Sequence, residues 1–228
     1  MNFPLRLYDG DGRMELRENL DEFLLQYFEG IYLKKPLFYN SSIAIRFEMG
    51  GGVDTPEKRV KQVKQRAIKL FNALHKPSDE IYFVLFIDKW DNESISDIEN
   101  IVSKVFSNYI SKIDFRNVIK QVQEFRYKDL DDIDDIVTIR YCADVKYQQL
   151  KLEELVEAIA NRTLGLEPTV DGDIYLLNKT SKTIFHLYDD RGLDILAENK
   201  EILKSIYEKY NDWILGFDRE RIEEIFGK

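Results

Sequence analysis

A chain of 228 residues with 44% hydrophobic and 13% aromatic side chains can bury a full core, as one domain or two tightly joined lobes, and five prolines and eleven glycines are too few for a low-complexity protein. The formal net charge of -9 argues against general nucleic-acid binding, which needs clustered Lys and Arg against phosphates, and favours solubility or a basic partner. No apolar run is long enough to span a bilayer, the opening Met1-Asn2-Phe3-Pro4 lacks the parts of a signal peptide, and the lone Cys142 cannot build a disulfide framework, so a cytoplasmic protein without membrane contact is expected.

Along the chain, residues 14–28 place Leu16, Leu20, Phe23, Leu24, Tyr27 and Phe28 at helical spacing, with Asp11 available as a cap. Pro36 interrupts, and residues 43–48 alternate as a strand that the run Gly50-Gly51-Gly52 ends. Asp54-Thr55-Pro56-Glu57 then carries cap, first-turn proline and acidic residue for a second helix whose apolar face is Val60, Val63, Ala67, Leu70, Phe71 and Leu74. Residues 81–87 are continuously apolar, as a strand covered on both faces must be. Strand, helix, strand in this order predicts a parallel pair with a right-handed crossover if both share a sheet. Ser94 or Ser96 can cap a third helix, and strands near residues 118–127 and 136–145 flank an acidic link short enough for an antiparallel hairpin.

A fourth helix carries Leu152, Leu155, Val156 and Ile159 and ends near Gly165. Residues 174–177 and 183–188 read as a hairpin across a polar loop, and Asp189-Asp190-Arg191-Gly192 as a tight turn, because Asp accepts from the backbone two residues on and Gly tolerates positive φ. A short strand near residues 193–196 follows, then a helix with Ile202, Leu203, Ile206, Tyr207 and Tyr210 on one face, and a last helix capped by Asp218. The order predicts an α+β protein: a mixed β-sheet with an N-terminal βαβ unit, flanking helices, and a C-terminal hairpin-plus-helix lobe. The lobes are residues 1–145 and 146–228, one compact unit without a Pro/Gly/Ser linker or internal repeat.

Chemistry is harder to find. His75 and His186 are the only histidines and have no zinc-motif spacing, so neither a metal nor a cofactor is expected. Cys142, inside a predicted strand, reads as a buried small residue. His186 reads as a structural histidine; as a general base it needs an orienting carboxylate, and Asp189 and Asp190 are too near in sequence for that role to be assumed. The glycine run lacks the endings of phosphate-binding loops and suits a plain connection. On the second helix Lys58, Arg59, Lys61, Lys64, Arg66 and Lys69 make a basic face, either solvated or facing an acidic partner or nucleic acid, with the solvated reading favoured in an acidic protein.

Asp129, Asp131, Asp132, Asp134 and Asp135 crowd one loop without the Gly and Glu of a calcium-binding loop; they either solubilise the surface or steer a basic protein to it. Asp189, Asp190 and Asp194 around Arg191 either hold a turn together, docking the hairpin on the last long helix, or bind a cation or assist hydrolysis.

The segment 184–195, continued by residues 206–214, resembles the domain of unknown function 3885 family of uncharacterised bacterial proteins, and residues 36–39 and 43–48 look like that family's N-terminal part. The resemblance covers most of the chain and brings no catalytic residues. It implies a cytoplasmic Gram-positive protein of the small, acidic, variable kind found beside secreted polymorphic toxins. Two functions are carried forward: a non-catalytic binding protein, most concretely an immunity protein that neutralises a cognate toxin stoichiometrically through its acidic surface, or a small hydrolase or nucleotide-binding enzyme using Asp189, Asp190, Asp194 and His186.

Overall fold

The computed structural model describes residues 11–127 and 136–227, with the side chains of the first helix from Leu20 onward. Its elements in chain order are α1 (Asp11–Phe28), β1 (Ala44–Glu48), α2 (Pro56–Leu74), β2 (Glu80–Trp90), α3 (Ile95–Tyr109), β3 (Ile119–Glu124), β4 (Ile136–Lys146), α4 (Leu152–Leu164), β5 (Asp173–Asn178), β6 (Thr183–Leu187), β7 (Gly192–Ala197), α5 (Lys200–Lys209) and α6 (Arg219–Phe226). Local chemistry sets the helix ends. Thr55 accepts from the Lys58 amide with Pro56 at the first helical position, Ser94 accepts from the Asp97 amide at 3.1 Å, and Asn199 accepts from the Ile202 amide at 3.3 Å. Gly165 ends α4 in the left-handed conformation at φ 67°.

The strands form one sheet in the order β1-β7-β6-β5-β2-β4-β3, and every neighbouring pair is antiparallel. The fold class is α+β. β2 lies inside the sheet between β5 and β4 with residues 81–87 all buried, which explains their unbroken apolar character. The expected parallel pairing of β1 with β2, and with it the mixed sheet, does not form among the described residues. The two strands run in the same direction, but β7, β6 and β5 lie between them. Two tightly connected hairpins fill that space with antiparallel partners, and the path through α2 spans three strands. The sheet therefore draws neighbouring strands from both sides of residue 146.

The two faces of the sheet differ in chemistry. Across one face Ile45, Ile195, Phe185, Leu176, Phe83 and Ala143 stand in one cross-strand row, all buried. Helices close over it: Phe71 of α2 meets Phe185 edge-on, and Phe106 of α3 meets Phe83. Each such side chain contributes on the order of 2 kcal/mol by leaving water. Along the other face run Arg46, Asp194, His186, Asp173 and Arg140, all with little exposure. That face is covered by α1, through Phe23 on Tyr82 and Asp21 on Arg140, and by the segment leading into the 3-10 turn Leu37–Asn40.

Candidate functional site

Asp173 opens β5 on the charged face and is the point where the buried polar groups converge. One of its oxygens accepts from His186 Nε2 at 2.9 Å and faces Lys35 Nζ at 3.2 Å; the other accepts from Tyr175 Oη at 2.8 Å and Arg126 at 3.2 Å. Burial works against the carboxylate charge, but His186, Lys35 and Arg126 outweigh it and hold Asp173 well below the usual carboxylate range. His186 is wholly buried and stacks on Tyr175, ring centroids 4.0 Å apart. Its other nitrogen, Nδ1, has no hydrogen-bond partner among the described residues. The Arg126 guanidinium carbon is 4.0 Å from the centre of the Phe86 ring, and the side chain donates to the Leu33 carbonyl at 3.0 Å and stands 3.9 Å from Asp88, which accepts from Thr138 at 2.6 Å.

This centre opens on a cleft of about 400 Å³ at the end of the sheet where β2 finishes and β5 begins, lined by Lys35, Asp88, Arg126, Arg162, Asp171 and Asp173 among others. Gly172 shapes its floor. At φ 85° it has a backbone conformation that side chains resist, and a Cβ there would stand 2.6 Å from Leu85 and Ile87 and 2.7 Å from the Phe86 carbonyl. With both signs of charge on its walls, the cleft suits a small polar molecule carrying both. Acid–base catalysis through His186 lacks access, because the ring is sealed behind Asp173 and Tyr175.

The residues around the Asp-Asp-Arg-Gly turn do not converge on one point. Asp189 accepts from the Arg191 amide at 2.8 Å and from its guanidinium. Asp190 holds Arg59 of α2 and accepts from Thr163 of α4. Asp194 makes a bidentate pair with Arg46 at 2.6 and 2.9 Å and accepts from the Phe38 amide. Three carboxylates are thus committed to three different arginines. Burial opposes the charge of Arg46, yet Asp194 raises its pKa, and the guanidinium sits among the Phe38, Tyr39 and Tyr188 rings. The turn is tied to α2 and α4, through Arg59 and Thr163 on Asp190 and Arg162 on the Tyr188 carbonyl, and to the segment after β1, where Met49 donates its amide to the Arg191 carbonyl, while β7 beyond the turn lies against α5. The Arg191 side chain itself is 72% exposed.

Other sequence features find quiet roles. A Cβ on Gly50 would lie 2.6 Å from the Asp190 carbonyl, so the glycine run is where the chain passes close to the turn. Gln62 and Arg66 bind carbonyls of that run's approach, and the basic face of α2 is partly spent inside the molecule, on Asp190, on Glu157 and over Trp213. Burial pushes the Cys142 thiol up to about 12. Asp129, Asp131, Asp132, Asp134 and Asp135 lie outside the described residues. Among the described residues no group of three or more His, Cys, Asp or Glu side chains is placed to hold a metal ion, and no helix is long and apolar enough to cross a membrane.

Lys35, Arg46, Arg126 and Asp173 were not signalled as site residues by the sequence. The signal for Asp173 was present in the hairpin: continuing the register Leu176↔Phe185 by one step sets Tyr175 beside His186, and Asp173 then falls on the same face. Arg46 carried a weaker one, as a charge inside an otherwise apolar strand. A different feature appears at the β3–β4 end of the sheet. Of the eight large hydrophobic side chains exposed among the described residues, Tyr32, Trp90, Val122 and Val137 gather there; Trp90 stands opposite Ile136, Val137 opposite both Lys89 and Glu124, and Tyr32 reaches Gln123.

Comparison with known proteins gives a match over residues 20–218 to the family described as "Domain of unknown function (DUF3885)". The chain is also similar to the uncharacterized protein YnaE of Bacillus subtilis (strain 168), at 23% identity over 212 residues, with 86% of this chain and 97% of the relative covered. No solved structure matches.

Proposed function

Because the chain belongs to the DUF3885 family, a domain of unknown function, its activity has to be read from its own surface, and we propose stoichiometric, non-catalytic binding of a basic protein partner. One observation carries this reading: exposed apolar side chains stand where the acidic loop meets the sheet. Trp90, 46% exposed, is opposite Ile136, the first strand residue after that loop, and the exposed Val137 that follows presents the other face of the sheet. Residues 128–135, with their five aspartates, connect the β3 side to this point. Aromatic and aliphatic anchors supply affinity, and clustered carboxylates accelerate and orient the encounter with a basic surface.

The most concrete form of the proposal is a cytoplasmic immunity protein that neutralises a polymorphic toxin by covering its active site. The alternative, a hydrolase or nucleotide-binding enzyme built on Asp189, Asp190 and Asp194, is weakened by the commitment of each carboxylate to its own arginine. Co-expression with the product of the neighbouring gene, followed by measurement of the complex at low and high salt, tests the reading. A one-to-one complex is expected. Trp90→Ala should weaken it about thirty-fold or more, and replacing Asp129, Asp131, Asp132, Asp134 and Asp135 by Asn should slow association and remove its salt dependence. Turnover of a nucleotide or ester by the purified protein alone would overturn the proposal.

A further inference from the structure

The cleft beside Asp173 carries more charge than the buried network uses. Lys35 and Arg126 each face Asp173 at 3.2 Å, and Arg126 also faces Asp88 at 3.9 Å, so two cations stand against two carboxylates there. Arg162 of α4 is left outside that balance. It donates to the Gly172 carbonyl at 2.6 Å and to the Tyr188 carbonyl at 3.2 Å, which fixes the guanidinium without neutralising it, and no carboxylate pairs with it among the described residues. These two bonds use two of a guanidinium's five N–H donors. Asp171, one position before Gly172, is exposed, accepts no hydrogen bond and joins no ion pair among the described residues. The cation and the carboxylate thus lie on adjacent parts of the cleft wall, and neither answers the other.

A ligand that completes this wall carries one negative and one positive group a short distance apart. A polyanion such as a nucleotide fits poorly, because Asp88, Glu93 and Asp171 line the same cleft and repel it, and a plain amine leaves Arg162 without a counter-charge. Much of the remaining lining is apolar, with Phe86 and Ile87 from the end of β2 and Ile98 and Ile101 from α3. The volume of about 400 Å³ falls within the range of about 300–1,000 Å³ in which small ligands are held, with room for two charged groups and a side chain of several carbons.

We propose that this cleft binds a free α-amino acid with an apolar side chain, its carboxylate on Arg162, its ammonium at Asp171 and its side chain along Ile98 and Ile101. This is independent of the partner-binding reading, since it concerns the purified protein alone. Calorimetric titration and thermal melting of the full chain test it, with leucine, methionine and phenylalanine as probes, each compared with the corresponding amine, which lacks the carboxylate, and the corresponding acid, which lacks the ammonium. At least one of the three amino acids should bind one-to-one and raise the melting temperature, and its amine and acid should each bind about ten-fold or more weakly. Asp171→Asn, at an exposed position, should melt like wild type and weaken the amino acid about ten-fold or more without weakening the acid. Arg162→Gln should weaken the amino acid and the acid alike. The Asp171 series decides even if Arg162→Gln fails to fold, because Arg162 also holds two backbone carbonyls and Asp171 holds none. Failure of all three amino acids to bind, tighter binding of adenosine monophosphate or inorganic phosphate than of any of them, or wild-type affinity in Asp171→Asn would overturn the proposal.

Discussion

Asp173 keeps its charge in a place where burial penalises it because four donors surround it, and removing that charge strands its partners. Asp173→Asn should cost about 3 kcal/mol at pH 7, since Lys35 and Arg126 then lose their counter-charge. The pH dependence follows from its depressed pKa. The unfolded state takes up protons first as pH falls, so this stabilisation is complete above about pH 5 and drains away in acid, where mutant and wild type converge. His75 acts in an earlier window. Burial lowers its pKa to about 4 from 6.5, so the unfolded state alone gains a proton between those values and about 3 kcal/mol is lost as pH falls through them. Urea titrations from pH 7 to 3 should show both losses, and His75→Gln should flatten only the first. Arg191→Ala, by contrast, should lower stability by only about 1 kcal/mol, because its guanidinium is exposed and the buried Asp189 carboxylate keeps its hydrogen bond from the residue-191 amide. The buried arginines among the described residues are Arg46, Arg126 and Arg140, whose partners come from distant parts of the chain.

At the scale of single elements the sequence was most readable where local chemistry decides. Thr55 with Pro56, Ser94 and Gly165 each mark a helix end for reasons contained within a few residues. The buried site was less readable, because His186 has its carboxylate thirteen positions back, across the hairpin, and not in the aspartates that follow it. Gly172 shows how tightly that strand entry is drawn. Gly172→Ala should cost at least about 2 kcal/mol, combining a positive φ with contacts to Leu85, Ile87 and the Phe86 carbonyl that cannot be relieved together; thermal melting measures it. Cys142 gives the complementary test of burial. Its thiol should resist a water-soluble disulfide reagent in the native protein and react at once in denaturant.

For the whole molecule, the helices and strands were legible while the sheet order was not, since adjacency depends on contacts between residues far apart in sequence. The burial of β2 could be read from its unbroken apolar run; that its neighbours would be β4 and β5 could not. Phe83, wholly buried against Phe106, should cost about 4 kcal/mol when replaced by Ala, as seen by equilibrium unfolding. During synthesis the order of pairing is not the order of emergence. β2, β3 and β4 are complete once Lys146 has been made, but β1, which emerges before all of them, finds its partner only in β7. Arg46 waits 148 residues for Asp194. At about 5–20 residues per second this interval is on the order of ten seconds, through which β1, with Ile45 and Phe47 to bury beside the charged Arg46 and Glu48, has no strand partner. The edge of the sheet whose strand is made first is thus closed last, and a chain truncated before Gly192 would leave β1 without its strand partner.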